Sequence, residues 1–223
     1  MPEPKHHDGH RERLRQRFLD KPDSLADYEL LEMLLFVIPR KDVKPLAKDL
    51  LKKFGSLHAV FSASPKELTD CGLSDNAVAT LKATQQAALR FLKQDVMQKP
   101  VLNNWTRLVG YLQAAMAQEK REMFRLLFLN KKNELIADEV QQTGTVDHTP
   151  AYPREVLKRA LEIGATALIL VHNHPSGDPN PSQADIDLTK AIISAGKTLN
   201  ITVHDHIIVS RNGFQSLRTL GLI

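Results

Sequence analysis

The chain has a single cysteine, Cys71, in 223 residues. One thiol excludes an intramolecular disulfide, fits a reducing cytoplasm, and removes thiolate-rich zinc sites from consideration. Any metal must therefore be held by His, Asp or Glu. Aromatic residues make up only 5% of the chain. No run approaches the ~18 apolar residues of a membrane span, and residues 1–10 are polar, with nothing like the apolar core of a signal peptide. A cytoplasmic protein with no membrane contact is the expectation. A strong surplus of one charge is missing too. The formal net charge is +4, with Lys and Arg exceeding Asp and Glu by three in residues 1–100 and by one in the remainder. That imbalance permits nucleic-acid contact by the first part without arguing for it. What remains is ordinary: 42% apolar and 25% charged residues, enough for one large domain or two small ones.

Residues 1–24 read as a polar, basic, mobile or loosely packed arm. They carry His6, His7 and His10, a group with no apolar framework to hold a metal, then Arg11, Arg13, Arg15 and Arg17, which can touch phosphate. Residues 25–93 read as a small all-α domain of five short helices. Pro39 and Gly55 close the first two, and Ser64 with Pro65 and Glu67 has the form of a capped helix start. The turn Asp70 to Asn76 is similar to the hairpin of a helix-hairpin-helix module, whose backbone N–H groups approach DNA phosphate. Ser74 stands where such hairpins have a second glycine, and Gly72 as a helix C-cap followed by Ser74 as an N-cap accounts for the same residues.

Residues 94–104, with Pro100, lose the helical spacing and mark a linker. Residues 105–223 then mix periods. A helix over Trp105–Met116 precedes two strand-like runs, Met123–Leu129 and 134–140. An amphipathic helix over 154–163 follows, then an apolar strand over 167–171, a helix from Ser182 to about Leu199, and two last strands flanking Arg211 to Gly213. Mixed helices and largely antiparallel strands make this an α+β domain.

Residues 171–185, VHNHPSGDPNPSQAD, hold the chemistry. His172 and His174 end the apolar strand, and alternate strand residues share a face, so both imidazoles can reach one ion while Asn173 points away. A Pro- and Gly-rich loop leads to Ser182, with Asp185 on the first turn of the next helix. Two nitrogens and a carboxylate suit a catalytic zinc with a fourth position left for water. Taken singly, each has a plain account: Ser182 to Asp185 fits a capping box, and the histidines fit an ordinary strand end. The coincidence is what those accounts leave unexplained, and a cap can also aim Asp185 inward. Hydrolysis further needs a base to move the proton. Glu119, Glu122, Glu134, Glu139, Glu155 and Glu162 are the candidates, and spacing does not choose between Glu122, which precedes the strongest apolar strand, and Glu139.

His172-x-His174, seven residues, Ser182, two residues and Asp185 resembles the JAMM metalloprotease motif of MPN-type domains. The wider blocks (Pro153 to Glu155, Leu170 to Asp178, Pro181 with Ser182, and Asp205 to Val209) resemble the bacterial RadC family, over nearly the whole chain. The resemblance implies a curved sheet flanked by helices and one zinc per chain on His172, His174 and Asp185. It also implies a general base at Glu122, because the stretch from Glu122 to Leu127 approximates the family's Glu-x-Phe-x-x-Leu, and a hydrogen bond from Ser182 to a developing oxyanion. The implied substrate is a peptide or isopeptide in a protein. His204 and His206 alternate on a strand and so share a face, opposite Asp205; they read as core residues rather than partners orienting a ligand imidazole. His148, Asp178 and Asp187 receive no role.

Two other functions compete. One is a DNA-binding or DNA-processing protein that uses the helical domain on phosphate, with the metal site as a nuclease centre or a structural one. One sure carboxylate ligand suits a single ion better than the ion pairs of two-metal nucleases. The other is a scaffold with structural zinc, against which an open coordination position beside a glutamate would count.

Overall fold

The computed structural model describes residues 6–97, 100–143 and 151–223. The chain divides into two compact units, Met1–Ala88 and Leu89–Ile223. In the first, helix α1 (His6–Asp20) is followed by α2 (Asp27–Leu34), α3 (Lys44–Phe54), α4 (Leu57–Ser62), α5 (Pro65–Asp70) and the start of α6 (Asp75–Met97). Leu31, Leu35, Leu50, Val60, Leu68 and Leu81 meet in one apolar cluster. The helix ends obey their sequence signals. Gly55 closes α3 in the left-handed conformation, and Ser64 with Glu67 forms a reciprocal cap on α5.

The N-terminal stretch is not a loose arm. It is helical from His6, with Leu14 buried. Arg17 is ion-paired with Glu29, and the Arg11 guanidinium donates to the carbonyls of Phe36, Ile38 and Lys41 at 3.2, 2.9 and 2.7 Å. Carbonyls at the end of a helical turn lack partners of their own, and the guanidinium fork supplies several donors at once. His10 pairs with the buried Glu32 at 2.8 Å; the side chains of His6 and His7 lie outside the described residues.

The hairpin after α5 follows helix-capping geometry. Gly72 has φ +85°, its N–H reaches the Thr69 carbonyl, and the Leu73 N–H reaches that of Leu68. This pair of bonds is a Schellman motif, which by itself calls for glycine at that position.

The second unit is an α+β fold. Helix α7 (Trp105–Met116) leads into β1 (Met123–Leu129) and β2 (Leu135–Thr143). Helix α8 (Pro153–Ile163), β3 (Ala167–Asn173), α9 (Gln183–Thr198), β4 (Thr202–Ser210) and β5 (Gly213–Ser216) complete it. The sheet order is β2-β1-β3-β4-β5. Every pair is antiparallel except β3 with β4, which the α9 crossover makes parallel.

Alternation along β1 and β3 separates two cores. Leu127, Leu129, Ile169 and Val171 pack with Leu108, Leu112 and Met116 of α7. Phe124, Leu126, Phe128, Leu168 and Leu170 pack with Val156, Leu157 and Ala160 of α8 and Ile192 of α9. The linker placed over 94–104 is partly core, because Val96 and Val101 are fully buried in the first of these clusters. Phe128 is fully buried on the central antiparallel pair. Phe128→Ala is expected to cost about 3–5 kcal/mol of stability, through lost burial plus the cavity left behind; a denaturant titration read by two probes measures it.

Candidate metal centre

His172 is the last residue but one of β3, on the face that packs against α8 and α9. His174 follows one step beyond the strand, its N–H still bonded to the Val209 carbonyl of β4. Between the histidines and α9 the chain turns through residues 175–181. Ser210 Oγ donates to the Gly177 carbonyl and the Arg211 guanidinium donates to that of Ser176, both at 2.9 Å. Gly177 has φ +94°, and a Cβ there would stand 2.7 Å from Arg211 Nε. Glycine is what allows the loop to lie against the β4–β5 turn.

Ser182 starts α9 as its N-cap. Its Oγ accepts the Asp185 N–H, while Asp185 Oδ2 accepts both the Ser182 N–H and its hydroxyl at 2.7 Å. This reciprocal cap turns the carboxylate toward β3. Asp185 Oδ1 lies 3.3 Å from His172 Nε2, and Oδ2 lies 3.6 Å from His174 Nε2. The two Nε2 atoms are 2.8 Å apart. Capping and convergence on one point therefore coexist in Asp185.

The donor chemistry fits a metal ion. A carbonyl oxygen can only accept, so the 2.7 Å contact of His174 Nδ1 with the Asp178 carbonyl puts the ring's hydrogen on Nδ1 and leaves Nε2 a lone pair. His172 Nδ1 is engaged with His206, which leaves its Nε2 facing the same point. One ligand atom from each of His172, His174 and Asp185 lies within 4.8 Å of the others, and lone pairs and a carboxylate gathered in this way call for a cation. Without an ion, the three groups shift one another's protonation. Burial pushes His172 down to about 4 despite Asp185, with His174 adding to the effect. The Asp185 hydrogen bond holds His174 up against burial, with help from the Asp178 carbonyl and the charges of Asp185 and Glu122. Burial works to raise Asp185, but His174, His172 and Ser182 together keep it well below the usual carboxylate range.

Glu122 immediately precedes β1. The β1–β3 register pairs Phe124 with His172, so its continuation sets Glu122 across from His174 and on the same face. Its negative charge is among the influences that raise His174. Glu139 is held by Arg159 at 2.7 and 2.9 Å, and Glu134, Glu155 and Glu162 bond to Asn130, Arg154 and Arg159. Asp178 and Asp187 bond within their own segments, to Asn180 and Gln183. His148 lies outside the described residues.

Two side chains differ from their sequence reading, and a third does more than it implied. His204 and His206 do not act alike, because the β3–β4 register slips between Leu168 and Ile169 and skips His204. Such a bulge breaks the two-residue alternation. His204 reaches Asn133 Oδ1 at 2.7 Å, whereas His206, fully buried, lies 2.8 Å from His172 Nδ1 and 2.6 Å from Thr189 Oγ1. Reading His206 as a simple core residue is thus corrected: it touches a candidate ligand. Asn173 does point away from the two imidazoles, but onto the segment before β1. Its Oδ1 accepts the Met123 N–H at 2.9 Å, and its Nδ2 donates to the carbonyls of Glu119 and Arg121 at 3.2 and 3.1 Å. A buried asparagine in an apolar strand has to satisfy its amide somewhere, and that was the available signal. Asn173→Ala is expected to lose about 1–3 kcal/mol from the backbone groups left unpaired; unfolding curves check it.

A family model for the RadC-like JAB domain matches residues 102–222. The match takes in both histidines, Asp185, Ser182 and Glu122, and all five strands. It extends over more than half of the 223 residues. The chain belongs to the RadC-like JAB domain family.

Proposed function

We propose that the second unit is a zinc-dependent hydrolase acting on a peptide or isopeptide bond. The observation that carries this is the convergence of His172 Nε2, His174 Nε2 and the Asp185 carboxylate, with Glu122 set across from His174. Family membership points to a JAMM-type metallohydrolase, and a His-His-Asp set leaves a coordination position open. Zinc held there would supply a Lewis acid and lower the pKa of a bound water toward ~7.

The residues of the chain divide the remaining work. Glu122 accepts a proton from the attacking water and returns it to the departing amine. Asn173 holds the backbone on both sides of Glu122, which keeps that carboxylate opposite His174. Ser182 is the donor for the oxygen of the attacked carbonyl. Its single hydroxyl hydrogen goes to Asp185 here, so this role requires the hydroxyl to rotate from Asp185 toward the substrate.

The test compares metal-loaded protein with chelator-stripped protein on a peptide, an isopeptide-linked protein, single-stranded DNA and duplex DNA. Cleavage of an amide substrate only when metal is present supports the reading. Metal-dependent cleavage of DNA alone would replace it with the nuclease alternative. DNA contact by the first unit is carried as a separate arm: the affinity should fall steeply with salt if Lys and Arg neutralise phosphates. No described helix is long and apolar enough to cross a membrane.

A further inference from the structure

We propose that Thr189 and His206 form a positioning pair that locks His172 in the tautomer presenting a bare Nε2 to the metal centre. This rests on reading His172, His174 and Asp185 as metal ligands.

The direction of each hydrogen bond follows from the one before it. Thr189, on the second turn of α9 and fully buried, lies 2.5 Å from the Asp185 carbonyl and 2.6 Å from His206 Nδ1. A carbonyl oxygen has no hydrogen, so Thr189 is the donor in the first contact. A hydroxyl carries one hydrogen, so in the second contact the Thr189 oxygen must accept, and His206 Nδ1 must bear the N–H. A neutral imidazole has one N–H, and a fully buried ring with no carboxylate hydrogen-bonded to it is best kept neutral. His206 Nε2 is then a lone pair, and the 2.8 Å contact is a bond donated by His172 Nδ1–H. The remaining nitrogen of His172 is Nε2, which faces His174 and Asp185.

A backbone carbonyl at one end thus dictates hydrogen positions across three side chains. That carbonyl belongs to Asp185, so the residue offering the carboxylate also sets the tautomer of the imidazole opposite it. Phe124, edge-on to His206 at 5.9 Å, restrains the ring's tilt. A neutral His172 without this chain could carry its hydrogen on Nε2, in the cluster itself, and would have to lose it before binding an ion.

Thr189→Val is close to isosteric and removes only the hydroxyl. His206 Nδ1 then has no acceptor, and nothing orders the hydrogens. The zinc dissociation constant, from competition with a chromogenic chelator, is expected to rise roughly 10–100-fold, the range found when a partner of a ligand histidine is removed. Thr189→Ser, which restores the hydroxyl, is expected to return most of it. Nitrogen-15 shifts of the His172 ring in metal-free protein should report one tautomer, hydrogen on Nδ1, in wild type and a mixture in Thr189→Val. A merely structural role would change the melting temperature and leave the tautomer alone. An unchanged His172 tautomer in Thr189→Val, or hydrogen on Nε2 in wild type, overturns the proposal. The tautomer measurement needs no metal or substrate, so it tests the lock even if wild-type protein binds no zinc, an outcome that counts against the ligand assignment.

Discussion

Glu122→Gln should leave zinc bound and remove hydrolysis. The substitution keeps the shape and length of the side chain and deletes its capacity to hold a proton. General-base assistance contributes about 10²–10⁴-fold to rate, and turnover should fall by that much. Metal content by elemental analysis should stay near one per chain, because the proposed ligand atoms belong to His172, His174 and Asp185. The backbone at position 122 should hold as well, since Asn173 grips Met123, Glu119 and Arg121 through their main-chain groups. A fully active Glu122→Gln would mean that another group takes the proton. Glu139 would be a poor replacement, because Arg159 holds it and depresses its basicity.

His172→Ala should lose both the metal and the activity. Removing one of three ligands should weaken zinc by more than the 10–100-fold that follows from disturbing a ligand's neighbour, leaving purified protein with little bound zinc. The substitution also has a cost in the fold. It empties a fully buried site and leaves His206 Nε2 without its partner, which should add about 1–3 kcal/mol of destabilisation. His174→Ala separates the two effects. His174 is only partly buried and its other hydrogen bond goes to a loop carbonyl, so metal should be lost there with a smaller change in melting temperature. Zinc retained at wild-type level in both variants would sink the ligand assignment.

The parts of this centre that were legible in the sequence are those set by local rules. Strand alternation put His172 and His174 on one face, and the Ser182 cap placed Asp185 on a first turn, because both depend on residues a few positions apart. The choice between Glu122 and Glu139 needed the β1–β3 register and the position of Arg159, and neither is written in any short stretch. The bulge that separates His204 from His206 leaves no local mark in a run as regular as TVHDHIIVS. Helix α1 was missed for another reason. Its residues are polar nearly throughout, and it is held by Leu14 and by charged contacts to α2 and the turn after it. Val96 and Val101 looked like linker because their neighbours are polar, while their own side chains enter a core assembled from α7 and the sheet.

The double use of Asp185 bears on how mutational data for this protein should be read. Its Oδ2 closes the first turn of α9 through two bonds from Ser182, a service that folding needs whether or not any ion is present. A library of variants screened only for abundance would therefore already favour Asp, Glu or Gln at position 185, the N3 place of the cap. Intolerance there in such a screen says nothing about chemistry. Outside the cluster the His174 ring makes a single bond, to a loop carbonyl, so a screen for activity and a screen for abundance should disagree more at position 174 than at 185, and that contrast would separate the demands of folding from those of function.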